Sequence, residues 1–292
     1  MNPPLSRGLL PLIQYFLRPL FRLEKSTKTL TVRKIKISTG DGAKIRAILY
    51  SPSDVGEITS CLVYYHGGGF VLPAAPYHYK LAREYAERAH CKVLFVDYRL
   101  APKHSFPIAP EDCYAAYSWV RANAEELEVD EARIAVAGDS AGGQLATVVC
   151  LMAKDRGGAM PCGQMLLYPA AGNVETESVK MYVDTPMCNS RDLEKYGKLY
   201  RPDLTVGNDV YASPIEAESL AGLPDAYIET AEFDCLRDGG ILYAERLRQF
   251  GVSAEIYNTK GTMHGFDIVL KSPIVRECVD RRIKFLTRIF NS

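Results

Sequence analysis

A chain of 292 residues, 47% of them apolar, is long enough to bury the core of one large α/β domain, and one domain is preferred here over two. Lys plus Arg and Asp plus Glu stand at 35 each, so the whole-chain field gives no reason to expect nucleic acid or an acidic membrane surface as partner; a small, roughly neutral ligand fits more easily. The eight cysteines form no Cys-x-x-Cys pair and no dense cluster, which excludes a disulfide-stapled fold and reads as free thiols in a reducing, cytoplasmic compartment.

No run reaches the roughly 18 apolar residues of a spanning helix. Leu9 to Leu23 come closest, but Pro11, Arg18, Pro19 and Arg22 interrupt them and no small-residue cleavage site follows, so neither stable membrane insertion nor a signal peptide is expected. The Leu, Ile, Phe and Tyr content of this stretch asks for burial: a lid over a pocket first, then packing against the body or contact with a membrane surface. Next come two alternating segments, Leu30 to Ile37 and Ala43 to Tyr50, around Ser38-Thr39-Gly40-Asp41-Gly42, a hairpin signal that places antiparallel strands at one edge of a sheet.

The pattern then changes to short apolar strands alternating with helices, the mark of a parallel sheet covered on both faces. The predicted strands are Cys61 to Tyr65, Lys92 to Val96, Arg133 to Ala137, Gln164 to Leu167, Ala226 to Glu229 and Ala254 to Tyr257. The predicted helices are His78 to Ala89, Glu111 to Ala124, Ala141 to Lys154, Gly240 to Phe250 and Ile274 to Phe290. The stretch from Gly172 to Ala221 breaks the alternation, is too long for a compact loop, and is expected to be an inserted helical element.

Ligands of such sheets sit beyond the carboxyl ends of the strands, and chemistry-bearing residues follow several of these ends. After Tyr65 comes His66-Gly67-Gly68-Gly69-Phe70; three adjacent glycines are a poor choice for stability, and their use is exposed backbone N–H groups. Those of Gly67 and Gly68, with that of Ala141, are expected to form an oxyanion hole. After Ala137 comes Gly138-Asp139-Ser140-Ala141-Gly142-Gly143, a Gly-x-Ser-x-Gly corner between strand and helix that exposes the Ser140 hydroxyl. A serine needs a base, usually a histidine oriented by a carboxylate, in the order nucleophile, acid, histidine. Of the histidines at 66, 78, 90, 104 and 264, only His264 lies after Ser140, in a loop beyond the last predicted strand. The acid is less tightly fixed. Asp234 falls shortly after the strand ending at Glu229; Asp238 is the rival, although a helix start already accounts for it, and Glu232 is a distant third.

Together His66-Gly67-Gly68-Gly69, Gly138-Asp139-Ser140-Ala141-Gly142-Gly143, Asp234-Cys235-Leu236-Arg237-Asp238 and His264-Gly265-Phe266 resemble the motif set of the hormone-sensitive-lipase-like esterases within the α/β-hydrolase fold. Asp97-Tyr98-Arg99-Leu100-Ala101-Pro102, Phe106-Pro107 and Glu111-Asp112 resemble that family's connecting segment, so the likeness runs from about residue 30 to 290. It implies a mostly parallel central sheet with antiparallel N-terminal edge strands, helices on both faces and a small helical cap: one domain over 1–292, with cap elements from about 1–28 and 172–221. It further implies a serine carboxylesterase acting on short- to medium-chain acyl esters through an acyl-enzyme, with Ser140 as nucleophile, Asp234 as acid, His264 as base, Gly67, Gly68 and Ala141 as oxyanion donors, and no cofactor or metal. Many members are dimers, which allows a homodimer here.

The chain departs from the family in three places: the segment before the first strand is shorter than in many members, Cys235 stands where proline is common, and Gln144 where asparagine is common. An amidase, deacetylase or peptidase would use the same triad. A non-catalytic small-molecule receptor on this fold would be expected to have lost one of the three groups, and the chain keeps all of them.

Overall fold

Thr39 to Gly42 turn the chain between β1 (Leu30–Ser38) and β2 (Lys44–Pro52), which pair antiparallel along their whole length, Leu30 opposite Pro52 and Ser38 opposite Lys44. The computed structural model of the chain describes residues 10–17, 20–56, 58–202 and 209–292. Residues 1–9, 18 and 19 of the expected N-terminal cap element, among them Leu9, Arg18 and Pro19 of the apolar stretch, and 203–208 of the insert lie outside them.

β2 continues antiparallel onto β4 (Lys92–Asp97), and from there the pairing is parallel through β3 (Thr59–Tyr65), β5 (Val129–Asp139), β6 (Gln164–Leu167), β7 (Ala226–Phe233) and β8 (Ala254–Met263). The order across the sheet is β1-β2-β4-β3-β5-β6-β7-β8, so the chain leaves β3 to one side for β4 and returns to its other side for β5. That reversal opens a crevice at the carboxyl ends of β3 and β5.

Strand periodicity sorts the apolar residues into two cores. Cys61, Val63, Tyr65, Val136 and Leu94 face one side, with residues of α4 (Ile108–Ala122), α5 (Ala141–Asp155) and α8 (Arg237–Gln249). Leu62, Tyr64, Ala135 and Phe95 face the other, with residues of α3 (Pro76–Arg88) and α9 (Pro273–Phe290). The sheet is therefore mostly parallel, antiparallel at its N-terminal edge and covered on both faces, as the sequence leads one to expect.

The differences lie at element ends. β7 and β8 run on past the predicted Glu229 and Tyr257 to pair Phe233 with Met263, which brings the residues that follow them, Asp234 and His264, off neighbouring strand ends. α8 begins at Arg237 rather than Gly240, because Gly240 lies inside the helix where it packs on β7; a Cβ there would stand 2.8 Å from Thr230 Cγ2. The insert holds α6 (Glu177–Met181), α7 (Ser190–Tyr200) and a short 3-10 turn, Pro214–Glu216. Ahead of the sheet, α1 (Leu10–Leu17) and α2 (Leu20–Leu23) bury Leu10 and Phe21, and the Gln14 amide donates to the carbonyls of Val71 (2.8 Å) and Ala101 (3.0 Å). Among the described residues no helix is long and apolar enough to cross a membrane.

Candidate active site

Ser140 sits at the corner between β5 and α5 with φ 54° and ψ −120°, a conformation few non-glycine residues adopt. Its neighbours over-determine it. The Ser140 N–H donates to the Leu167 carbonyl (2.8 Å), and its own carbonyl accepts from Ala170 (3.1 Å) and Gln144 (3.2 Å). A Cβ on Gly138 would collide with the Gly142 carbonyl, and one on Gly142 with the Tyr65 carbonyl, so only glycine lets helix and strands approach this closely.

The imidazole of His264, one residue beyond β8, reaches both ways: Nε2 lies 2.8 Å from Ser140 Oγ and Nδ1 2.7 Å from Asp234 Oδ2. Asp234 is fully buried, with Oδ1 accepting from the Leu236 N–H at 2.9 Å. Because a carboxylate only accepts, Nδ1 carries the proton and the Nε2 lone pair faces the serine hydroxyl. Burial alone would lower the His264 pKa, but the charge of Asp234, its hydrogen bond and the more distant Asp139 outweigh burial and raise it above the ordinary imidazole value. The rival acids face elsewhere: Asp238 accepts from the Ser178 N–H (2.8 Å) and Arg237 (2.7 Å), and Glu232 binds Lys260 (3.1 Å) and the Gly261 N–H (2.8 Å).

Opposite Ser140 stands the glycine loop after β3. Here the expected donor set needs a correction: the Gly67 N–H donates to Asp139 Oδ1 at 3.0 Å and is already occupied. Among the described residues the N–H groups of Gly68, Gly69 and Ala141 meet no protein acceptor. A hydroxyl on a strained strand-to-helix corner, a buried carboxylate–imidazole line to it, and free amides beside it all stand at the carboxyl edge of one parallel sheet.

An α/β-hydrolase-fold family model matches residues 62–268, most of the chain and every group just described. The chain belongs to the α/β-hydrolase fold family. It is 38% identical over 250 residues to carboxylesterase NlhH of Mycobacterium tuberculosis, covering 84% of this chain and 78% of that one. It is similar over its whole length to a solved bacterial heroin esterase, with a TM-score of 0.91, 32% identity and 95% of that chain covered. It is also similar to EstE1, a thermostable carboxylesterase from a metagenomic library, with a TM-score of 0.88, 34% identity and 97% of each chain covered. The likeness to hormone-sensitive-lipase-like esterases drawn from the motifs therefore holds.

Beneath the glycine loop this hydrolase carries a polar cluster that the sequence did not reveal. The buried Asp139 carboxylate accepts from the Tyr64 hydroxyl (2.8 Å) and the Gly67 N–H (3.0 Å), and meets His78 Nε2 at 3.0 Å. Burial pushes Asp139 up, but His78 and the hydrogen bonds more than reverse this and bring it to about 2. His66 Nδ1 meets the Gly67 carbonyl (2.7 Å) while its ring stacks on Tyr98; burial above all lowers it to about 4, so it is neutral at pH 7. Asp139 and His78 are 61 residues apart, and nothing local in the sequence pairs them.

The crevice opens into a cavity of about 850 Å³. Phe70, stacked on Tyr200 with ring centroids 3.9 Å apart, forms one wall, and the Tyr196 ring of α7 lies over Gly69. Met187 lines it too, whereas Met181 points to solvent and Leu199 into the core. Gln144 has a visible use: its amide donates to the Ala212 carbonyl at 2.9 Å and ties α5 to the end of the insert. No described residue of α1 lines the cavity; the helix meets the glycine loop from behind, through Gln14 and Val71.

Proposed function

We propose that the chain is a serine carboxylesterase cleaving short- to medium-chain acyl esters through an acyl-enzyme, with Ser140 as nucleophile, His264 as base and Asp234 as the acid that orients it. The observation carrying this reading is the unbroken hydrogen-bonded line Ser140–His264–Asp234 opening on an apolar-walled cavity. Nε2 takes the hydroxyl proton as Oγ attacks the ester carbonyl, and Asp234 stabilises the imidazolium that forms. The carbonyl oxygen gains its charge facing the N–H groups of Gly68, Gly69 and Ala141; Gly69 replaces Gly67 in the donor set because the latter's amide is already committed to Asp139. The imidazolium then protonates the leaving alcohol, the tetrahedral adduct collapses to acyl-Ser140, and the neutral His264 draws a proton from water for the second half.

The domain reading belongs to the same proposal: one hydrolase domain, with 172–221 as a cap whose Tyr196 and Met187 roof the cavity, and 1–28 as a second cap element bracing the glycine loop. Eight free cysteines support a reducing, cytoplasmic setting. The homodimer rests on the family resemblance, and light scattering on the purified chain tests it. Ser140→Ala should reduce turnover of a p-nitrophenyl ester to background while circular dichroism stays unchanged; undiminished turnover would refute the assignment. A panel of esters from acetyl to dodecanoyl should show kcat/KM peaking at the short to medium chains.

A further inference from the structure

The position where Cys235 replaces the family's common proline has a partner. Cys235 Sγ lies 3.9 Å from Cys188 Sγ, 47 residues away in the chain. Both residues are buried, in a small apolar cluster with Leu236 that is separate from the two main cores, and both line the cavity. Cys188 keeps a small exposed surface and Cys235 none, so an oxidant that enters the cavity meets Cys188 first. Among the described residues no other two thiols make a sulfur–sulfur contact within hydrogen-bonding distance.

The two thiols belong to different parts of the molecule. Cys235 directly follows Asp234, on a loop fixed by Leu236 N–H on Asp234 (2.9 Å) and by Ser178 Oγ on the Cys235 carbonyl (2.9 Å). Cys188 precedes Asn189, whose side chain caps α7 by accepting from the Asp192 N–H at 3.0 Å. α7 carries Tyr196, the ring over Gly69.

We propose that Cys188 and Cys235 are an oxidation site, which a peroxide converts into a disulfide fastening the loop ahead of α7 to the loop that carries Asp234. One thiol, after giving up its proton, attacks a peroxide oxygen; the O–O bond breaks, hydroxide leaves and takes that proton to become water, and a sulfenic acid remains. The second thiol attacks the sulfenic sulfur, the S–S bond forms as the S–O bond breaks, and the departing hydroxide takes its proton as a second water. The sulfurs must approach to about 2.05 Å. Both loops are hydrogen-bonded, the Cys188 N–H donating to the Pro186 carbonyl (2.9 Å) and the Thr185 hydroxyl to the Cys188 carbonyl (2.8 Å), so the bridge forms by a shift of one loop toward the other and then fixes the cavity roof. At rest, the hydrogen bond shared with Cys235 and then burial push the Cys188 thiol up and hold it in its protonated form.

The test is to reduce and desalt the purified chain, treat it with hydrogen peroxide, and count thiols after denaturation. The count should fall by two from eight, peptide mapping should join Cys188 to Cys235, the melting temperature should rise, and dithiothreitol should reverse all three. Cys188→Ser and Cys235→Ser should each abolish the bridge and the shift. Ser140→Ala, inactive on esters, should form the same bridge, which separates this proposal from the catalytic one. Retention of all thiols, sulfinic acids in place of the bridge, or an equal melting shift in Cys188→Ser would overturn it.

Discussion

At His264, burial and charge pull in opposite directions, and the balance sets a pH profile. A base must be neutral, so kcat/KM should rise with pH as the free enzyme's imidazole loses its proton, and fall away below that point. From sequence alone the inflection belongs near the unperturbed value of about 6.5. The buried Asp234 carboxylate, 2.7 Å from Nδ1, moves it upward. Asp234→Asn removes that charge and leaves the burial, so its residual activity should titrate at lower pH than the wild type, while kcat drops by about 10⁴ because the amide no longer holds the tautomer. Asp238→Asn, whose carboxylate serves Ser178 and Arg237, should lose less than about tenfold, a ΔΔG‡ below about 1.4 kcal/mol. An unshifted inflection in Asp234→Asn would remove Asp234 from the role of orienting acid.

Among elements, the glycine loop and the elbow are built as one piece, with Asp139 at the joint. Its carboxylate anchors the Gly67 amide from β3's end and His78 from α3, and in doing so sets the facing of the next two peptides. Asp139→Asn keeps an acceptor for Gly67 but loses the charge facing His78. Removing one oxyanion donor is worth about 10²–10³ in kcat, so a displaced loop should cost about 10², with KM changed little because the ground-state carbonyl hardly uses the hole. A KM effect equal to the kcat effect would mean that Asp139 shapes the cavity instead. The sequence made the strands, their order of chemistry and the triad candidates readable, because hydrophobic period, strand ends and chain order are local or ordinal signals. It could not show which way a peptide plane faces, which is why Gly67 looked like a donor. Nor could it show that α8 starts at Arg237, ahead of Gly239 and Gly240, since two adjacent glycines read as a helix boundary until Thr230 and Pro169 are seen packed against Gly240.

On the scale of the whole molecule, the sheet, α9 and the histidine loop meet at a charge cluster that no motif announces. Arg282 of α9, Glu229 of β7 and Asp267 just beyond His264 are all fully buried. The guanidinium binds Glu229, meets Asp267 at 3.0 Å and donates to the Tyr85 hydroxyl at 3.2 Å, while Tyr168 and Tyr227 donate to Asp267 (2.9 Å) and Glu229 (2.7 Å). The Tyr168 ring also stands edge-on to His264, with centroids 5.1 Å apart, so the cluster braces the base from behind. Burial already pushes Asp267 up despite the arginine. Arg282→Met leaves two carboxylates in a dry site without a counter-charge, and breaking a buried pair in this way costs about 3–5 kcal/mol. The Asp267 carboxyl, already pushed up by burial, then has a folded pKa further above its unfolded one, so the native state holds more protons there than the unfolded chain and the variant gains stability as pH falls. Denaturant unfolding should therefore show the Arg282→Met deficit at pH 7.5 narrowing at pH 5, and adding Glu229→Gln with Asp267→Asn should recover part of it at neutral pH by removing the stranded charges. A deficit independent of pH, and unchanged in the triple variant, would mean that Arg282 acts through its packing volume rather than its charge.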